Sequence, residues 1–565
     1  MPNDTLLINN RAKKQNTYDA IIVGSGITGG WAAKELCEKG LNVLLLERGE
    51  NVVHPNYPTS TKNPWDFKDR LHLSKADKEK KFIQSRHWSF KEDNQHFYIN
   101  DQENPYEEKK RFDWIRGDVV GGRSLLWSRA CYRFSDLDFE ANLKDGIAID
   151  WPIRYKDIAA WYDYVEQFIG VSGNADGIAH LPDGIFQPAF QMNAVEKFMK
   201  QKLESSTDYK LIMGRTANLT KPVQGRGQCQ ARDLCHRGCP YGAYFSTNAS
   251  TMPAAYATGR LTVRPYSLVN KVLYDEQKQK AKGIEIIDTQ TMQTIEFYSN
   301  VIFLNAATVA TAFILLNSVS SRFPNGLGNG SDQIGRNLMD HHKGFTAVAD
   351  VDGFEDSYYF GRRPTPLYIP RFRNVKKKDA DFLRGYHFGA SAYRTRQDNG
   401  SEIGESLKES LSVPGKWKMS LYSFGECLPY KENRVTLNHD KKDKWGRPII
   451  VVDCEFKDNE KKMNADMSSS AKEIFETVGF NNIHISNNMS FPGNANHEMG
   501  IARMGKDPKT SVLNAFNQMH EVKNVFITDG SCMVSSACQN PSLTYMALTA
   551  RACDHAVKEM KKGNI

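Results

Sequence analysis

The chain has 565 residues, 74 lysines and arginines against 66 aspartates and glutamates, a formal charge of +8 and a charged fraction of 25%. That composition excludes a disordered chain and gives enough length for three or four domains, or for two that interleave. The basic excess is small for the size and no Lys/Arg run is interleaved with aromatics, so no nucleic-acid partner is expected, and ten scattered cysteines exclude a disulfide scaffold.

The first sixteen residues, MPNDTLLINNRAKKQN, lack the uninterrupted apolar core of a secretory signal. The chain is therefore expected to carry no export signal of its own and, on sequence, to be cytoplasmic. Tyr18 to Gly49 then reads as a strand (Asp19 to Val23), a glycine turn, a helix and a second strand (Asn42 to Leu46) closing at Glu47. In that βαβ unit Gly24 permits the tight turn, Gly26 lets backbone approach a pyrophosphate, and Gly29 lets the helix pack close to the strand. The helix start faces the phosphates with free N–H groups and the positive end of its dipole. Glu47 stands where an acid accepts hydrogen bonds from a ribose. The motif alone does not choose between NAD and FAD.

Residues 51–115 read as a polar insertion of loops and short helices, either a lid or partner surface or a solvated wrap. Paired glycines, Gly121 and Gly122, interrupt the apolar run that follows, as backbone approaching a flat ring or a phosphate requires. Tyr155 to Phe168 has the apolar spacing of a helix packing face. Leu261 to Asp288 reads as a β-meander. Val301 to Val319 is nearly uncharged and approaches membrane-spanning length. Its order nevertheless predicts a buried strand, a turn at Asn305-Ala306-Ala307 and a helix, so no transmembrane segment is expected.

Gly335 to His341 marks a crossover into a second region, where Lys418 to Phe424, Arg434 to Leu437 and Ile449 to Val452 predict a mostly antiparallel sheet carrying the substrate. Lys462 to Val478 reads as a helix. Residues near Tyr358 to Tyr368 and Tyr422 to Pro429 are candidates for its substrate side. Glu426 has two open readings, a sugar hydroxyl or a cation as its partner.

Two pieces near the end carry the chemistry. His497 lies in a glycine-rich loop, and histidine is the side chain best suited to proton transfer near neutral pH. A strand ending at Asp529-Gly530 leads to a helix predicted to begin at Pro541, with Asn540 held extended before the proline. A helix start is also where negative charge on a reduced flavin would be stabilised.

With these motifs together, the chain resembles the glucose-methanol-choline (GMC) flavoprotein oxidoreductases over nearly its whole length. The resemblance implies FAD. It also implies an α/β, overall α+β, fold in which a Rossmann-like FAD-binding domain (17–340, with the 51–115 insertion and a cysteine loop at 219–246, and again 486–565) interleaves with a mainly antiparallel-sheet substrate domain (341–485). Carried onto matching positions, His497 takes the place of the family's catalytic histidine and Asn540 that of its partner. Val269 corresponds to the adenine contact, and Asp529, Gly530 and Pro541 to the flavin-side turn. Asn305-Ala306-Ala307 departs from the usual Ala-Ala-Gly, and Trp127 stands where many relatives have Asn.

The cysteine loop is most similar to bacterial sugar dehydrogenases of this family, the glucoside 3-dehydrogenases in particular. This implies oxidation of a secondary hydroxyl of a sugar or glycoside, plausibly at C3. It also implies a small accessory subunit, which would supply export to the periplasm, and a cytochrome acceptor. Cys229, Cys235 and Cys239, with x5 and x3 spacing, have two readings: ligands of a [3Fe-4S] cluster, or reduced thiols of a structural loop. An oxygen-using oxidase and a non-redox lyase that keeps FAD are the alternatives within the family.

Overall fold

The computed structural model describes residues 15–358, 361, 363–396 and 402–565. Residues 1–14, which carry most of the expectation about export, lie outside the described residues, as do 359, 360 and 362 of the 358–368 stretch.

Thr17–Val23 lies at the centre of a seven-stranded sheet, parallel to Val43–Leu46 on one side and to Thr294–Leu304 on the other. Leu261–Arg264 extends the parallel part, and Val525–Ile527 joins the end of Thr294–Leu304. Lys280–Asp288 and Ser267–Asp275 complete the far edge as an antiparallel meander. The central strands are apolar on both sides because both faces are covered. Ala20, Ile22, Val43 and Leu45 pack under the Ile27–Glu38 and Ser542–Lys561 helices, while Ile21, Leu44 and Ile302 face the core that includes Phe313 and Leu315 of Thr308–Asn317. The nearly uncharged 301–319 segment is thus the end of a strand, a turn and a buried helix. Among the described residues no helix is long and apolar enough to cross a membrane.

A second, six-stranded sheet is antiparallel throughout, in the order Asn481–Asn487, Phe345–Val351, Pro414–Gly425, Tyr386–Arg396, Leu367–Ile369, Ile212–Met213. Its period-two alternation is clearest in Pro414–Gly425. Trp417, Met419 and Leu421 are buried against Met463, Met467 and Ile474 of the Asp458–Val478 helix, while Ser420, Tyr422 and Phe424 line a large cavity.

One expected pairing differs. Arg434–Lys442 and Pro448–Asp453 do not join this antiparallel sheet but form a three-stranded sheet with Glu107–Glu108 of the insertion. Val435 and Val452 belong to the same core as Phe313 and Leu315, and Arg447 stacks 4.6 Å from the Phe313 ring. The apolar face of this hairpin is therefore covered by the Thr308–Asn317 helix. The insertion itself folds as short helices and turns around its own cluster, including Tyr57, Ile83, Phe90 and Phe97.

Candidate active site

The carboxyl ends of the parallel strands open on one cavity of 1740 Å³, lined there by Val23, Leu46, Asn305, Ser267 and Asp529. Ligands of open α/β sheets bind in this position. The volume exceeds the roughly 300–1,000 Å³ of ordinary small-molecule pockets, leaving room for a dinucleotide and a substrate together.

The glycine turn shows why each glycine is needed. Gly24 has φ +91°, in the region that favours glycine. A Cβ on Gly29 would fall 1.7 Å from the Gly24 carbonyl oxygen, so this residue sets how close helix and strand come. A Cβ on Gly26 would meet nothing within 4 Å, because that face is the cavity wall. No side chain caps the Ile27–Glu38 helix, and Gly26 is its N-cap. Its first N–H groups are left for a ligand.

Glu47 is bound to this turn. It accepts from Ser25 N (3.0 Å), Ser25 Oγ (2.6 Å) and Gly49 N (3.1 Å) and also lines the cavity. Burial pushes its carboxyl up, against the pull of those three hydrogen bonds. Ser25 Oγ in turn accepts from Gly121 N at 2.7 Å, which latches the paired glycines onto the turn. Gly121 has φ +100°, and a Cβ there would lie 1.9 Å from Asn248 Oδ1.

His497 and Asn540 both line the same cavity. Asp340, a residue that sequence reasoning left unassigned, holds the His497 loop by accepting from Gly493 N (2.7 Å), Ala495 N (3.1 Å) and His497 N (3.0 Å). Burial raises its carboxyl to about 7. His341, which sequence reasoning used only as part of a crossover motif, faces His497 with Nδ1 2.9 Å from His497 Nδ1, and its Nε2 lies 2.7 Å from the Ala537 carbonyl oxygen. Phe424 packs with its ring centre 5.7 Å from that of His497. Burial lowers His341 to about 4 and carries His497 well below the ordinary histidine range, so both rings are neutral at neutral pH.

Around the pair, Arg123 Nη1 donates to Glu498 Oε2 at 2.7 Å and ties the Gly121–Gly122 segment to the His497 loop. Val269, Asp529 and Gly530 also line the cavity, whereas Gly29, Gly121, Pro541 and Cys239 stand behind it. A Cβ on Gly530 would be 2.2 Å from the Glu498 carbonyl oxygen. The last helix starts at Ser542 with Pro541, at φ −84° and ψ −10°, as its N-cap, one residue later than expected. Trp127 donates from Nε1 to the Phe245 carbonyl oxygen at 2.9 Å and lines the cavity. Glu426 resolves toward the cation: it is buried 3.6 Å from Arg384 Nη1 and does not line the cavity.

Cys229 and Cys235 line the cavity far from the glycine turn in sequence, and burial pushes both thiols up. Among the described residues no group of three or more His, Cys, Asp or Glu side chains is disposed to hold a metal ion. The loop as folded does not gather Cys229, Cys235 and Cys239 into an iron–sulfur ligand set.

FAD fits what is present. Asn305 Nδ2, Glu498 Oε1 and Tyr545 Oη are buried atoms of cavity-lining residues with no partner in the protein, and the Gly26 face is open for a pyrophosphate. A parallel sheet with a glycine turn, joined to an antiparallel sheet over a shared cavity holding a neutral histidine, defines a flavin-dependent oxidoreductase.

Family models agree. Residues 18–343 match the N-terminal and 429–549 the C-terminal model of the GMC oxidoreductases. The chain belongs to that family, whose members bind FAD, and it is an oxidoreductase acting on the CH–OH groups of alcohols or sugars. It is 26% identical to the 2-methyl-1,2-propanediol dehydrogenase of Mycolicibacterium austroafricanum, over 95% of this chain and 94% of the relative. It is 25% identical to the fructose dehydrogenase large subunit of Gluconobacter japonicus (96% and 98%) and 24% identical to the gluconate 2-dehydrogenase flavoprotein of Pantoea cypripedii (95% and 93%). The crystal structure of a pyridoxine 4-oxidase shares the fold with a TM-score of 0.59 at 16% identity, covering 95% of this chain and 98% of that one.

Proposed function

We propose that this protein is an FAD-dependent dehydrogenase that oxidises a secondary hydroxyl of a sugar or glycoside, at C3 of the ring, to a keto sugar. The observation that carries the reading is the neutral His497 in the cavity at the strand ends. FAD, when bound, supplies the hydride acceptor. The residues of the glycine turn, Glu47, Gly122, Val269, Asp529 and Gly530 would hold it. His497 takes the hydroxyl proton as the carbon–hydrogen bond breaks, and the Asn540 amide donates a hydrogen bond to the same oxygen. Asp340 and the Arg123–Glu498 pair hold the loop that aims the imidazole.

The serines and tyrosine on the cavity face of the substrate sheet, Ser391, Ser420 and Tyr422, suit a polyhydroxylated ligand. The relative named as a large subunit supports a partner subunit here; that this subunit is small, carries the chain to the periplasm and works with a cytochrome acceptor is part of the same proposal. An iron–sulfur cluster at Cys229, Cys235 and Cys239 is supported by residue chemistry alone, and no step above passes through it. Iron and sulfide assays on anaerobically purified protein decide it, with iron near three per chain supporting the cluster and its absence leaving a structural loop.

The test of the reaction is anaerobic addition of a glycoside panel to the purified flavoprotein. Bleaching of the flavin bands with a 3-keto product supports the proposal. Flavin that stays oxidised with every sugar overturns it. Rapid reoxidation by air with peroxide release would make the enzyme an oxidase.

A further inference from the structure

Several cations line the cavity without a carboxylate partner, Arg129 and Arg232 toward the cysteine loop and Lys343 toward His497. Most arginines lining it are paired: Arg123 with Glu498 at 2.7 Å, Arg363 with Glu196 at 2.7 Å, Arg86 with Asp113 at 2.8 Å and Arg447 with Asp443 at 2.9 Å. Lys343 also lines the cavity, yet among the described residues its ammonium has neither a hydrogen bond nor a carboxylate within 4.0 Å. Asp340 and Asp113 act on it only at longer range.

Its position is fixed by backbone on both sides. Lys343 N donates to Ser490 Oγ at 3.3 Å, and Ser490 N donates to the Lys343 carbonyl oxygen at 2.7 Å. The next residue, Gly344, has φ +100°, and a Cβ there would lie 2.0 Å from the Asn488 carbonyl oxygen. The charge sits on the substrate side, because it is felt by His497 and His87 and helps keep both neutral. Burial lowers Lys343 to about 8, so the ammonium remains mostly charged at neutral pH.

An ammonium that lines the cavity without a carboxylate partner is free to receive one from a ligand, in a charge-assisted hydrogen bond. A single ammonium matches one negative charge. A phosphate dianion would leave a second charge unmet, and Lys lacks the bidentate fork that favours phosphate. We propose that the natural substrate is a ring sugar acid, a uronate or its glycoside, whose carboxylate is received by Lys343 while His497 takes the proton of the hydroxyl being oxidised. This rests on the reading of His497 as the base, and it narrows the substrate class beyond a neutral glycoside.

The experiment uses matched pairs that differ only by a carboxylate in place of the exocyclic CH2OH, methyl glucoside with methyl glucuronoside and methyl galactoside with methyl galacturonoside, added anaerobically to the FAD-loaded enzyme. Perturbation of the oxidised flavin bands reports binding, and later bleaching reports oxidation. The acid of at least one pair should half-saturate at a concentration about 10- to 100-fold below its neutral partner, the span of one charge-assisted hydrogen bond. Lys343→Met should erase that preference and Lys343→Arg should retain most of it, with flavin content unchanged. Equal binding of acid and neutral members by the unaltered enzyme, or a preference that survives Lys343→Met, overturns the carboxylate site. If acids perturb the flavin in a Lys343-dependent manner but no sugar bleaches it, the site stands and the proposed oxidation fails.

Discussion

His341 and His497 face each other through the same ring atom, with Nδ1 2.9 Å from Nδ1, and this fixes where each proton lies. The Ala537 carbonyl oxygen 2.7 Å from His341 Nε2 can only accept, so that nitrogen carries the hydrogen. The neutral His341 then accepts at Nδ1, and His497 must donate from its own Nδ1. His497 Nε2 is left with its lone pair, which is the tautomer a base requires.

Replacing His341 by leucine should therefore leave FAD bound but slow flavin reduction by roughly 10- to 100-fold, the usual cost of losing a partner that orients a reactive imidazole. Anaerobic stopped-flow at saturating substrate measures it. A glutamine, whose amide oxygen can still accept from His497 Nδ1, should recover part of the rate. Equal rates in all three proteins would show that the tautomer is set elsewhere.

The pH dependence follows from the direction of the His497 shift. Burial lowers its pKa well below 6.5, so the imidazole is already the free base as pH rises through 6. With a neutral sugar, flavin reduction should show no acid limb at the ordinary histidine value and should fall only in more acid solution. Burial raises both Asp340 and Glu426 to about 7, so an inflection near 7 belongs to Asp340 if it vanishes in Asp340→Asn.

The two glycines of the turn should fail differently. Gly29→Ala places a methyl 1.7 Å from a backbone oxygen and should lower the melting temperature as well as the flavin content. Gly26→Ala meets only open cavity, so the protein should fold normally, with unchanged circular dichroism, and lose affinity for FAD. A Gly26→Ala protein that purifies with full flavin would remove the pyrophosphate from that face.

Ala307 has φ +72° and ψ 150°, a combination that normally requires glycine. The chain departs from the family's Ala-Ala-Gly at this turn but keeps the glycine backbone. Ala307→Gly should stabilise the protein by about 1 kcal/mol, a share of the roughly 1–3 kcal/mol such strain costs. Chemical denaturation would read it, and destabilisation would mean that the Ala307 methyl packs better than the strain costs.

What was legible in the sequence was mostly local. Gly24, Gly26 and Gly29 act within one turn, so their spacing carries their roles. The alternation of Lys418 to Phe424 gives a half-buried strand in any context. Partners distant in the chain left no such trace: His341 lies 156 positions before His497, and Asp340 reads as an ordinary acid until the backbone of 493–497 closes around it. Alternation also does not say which sheet a strand joins, and so Arg434 to Leu437, expected in the antiparallel substrate sheet, lies instead against Thr308–Asn317. Lys343 had no motif at all. Its significance is the missing partner, which only the folded cavity displays.

The strand Pro414–Gly425 separates two evolutionary pressures by parity. Odd-numbered positions 417, 419 and 421 answer to the core, and even-numbered positions 420, 422 and 424 answer to whatever enters the cavity. The ligand-facing surface of this strand can therefore be altered by changing every second residue, with the intervening residues and the melting temperature left nearly as they are.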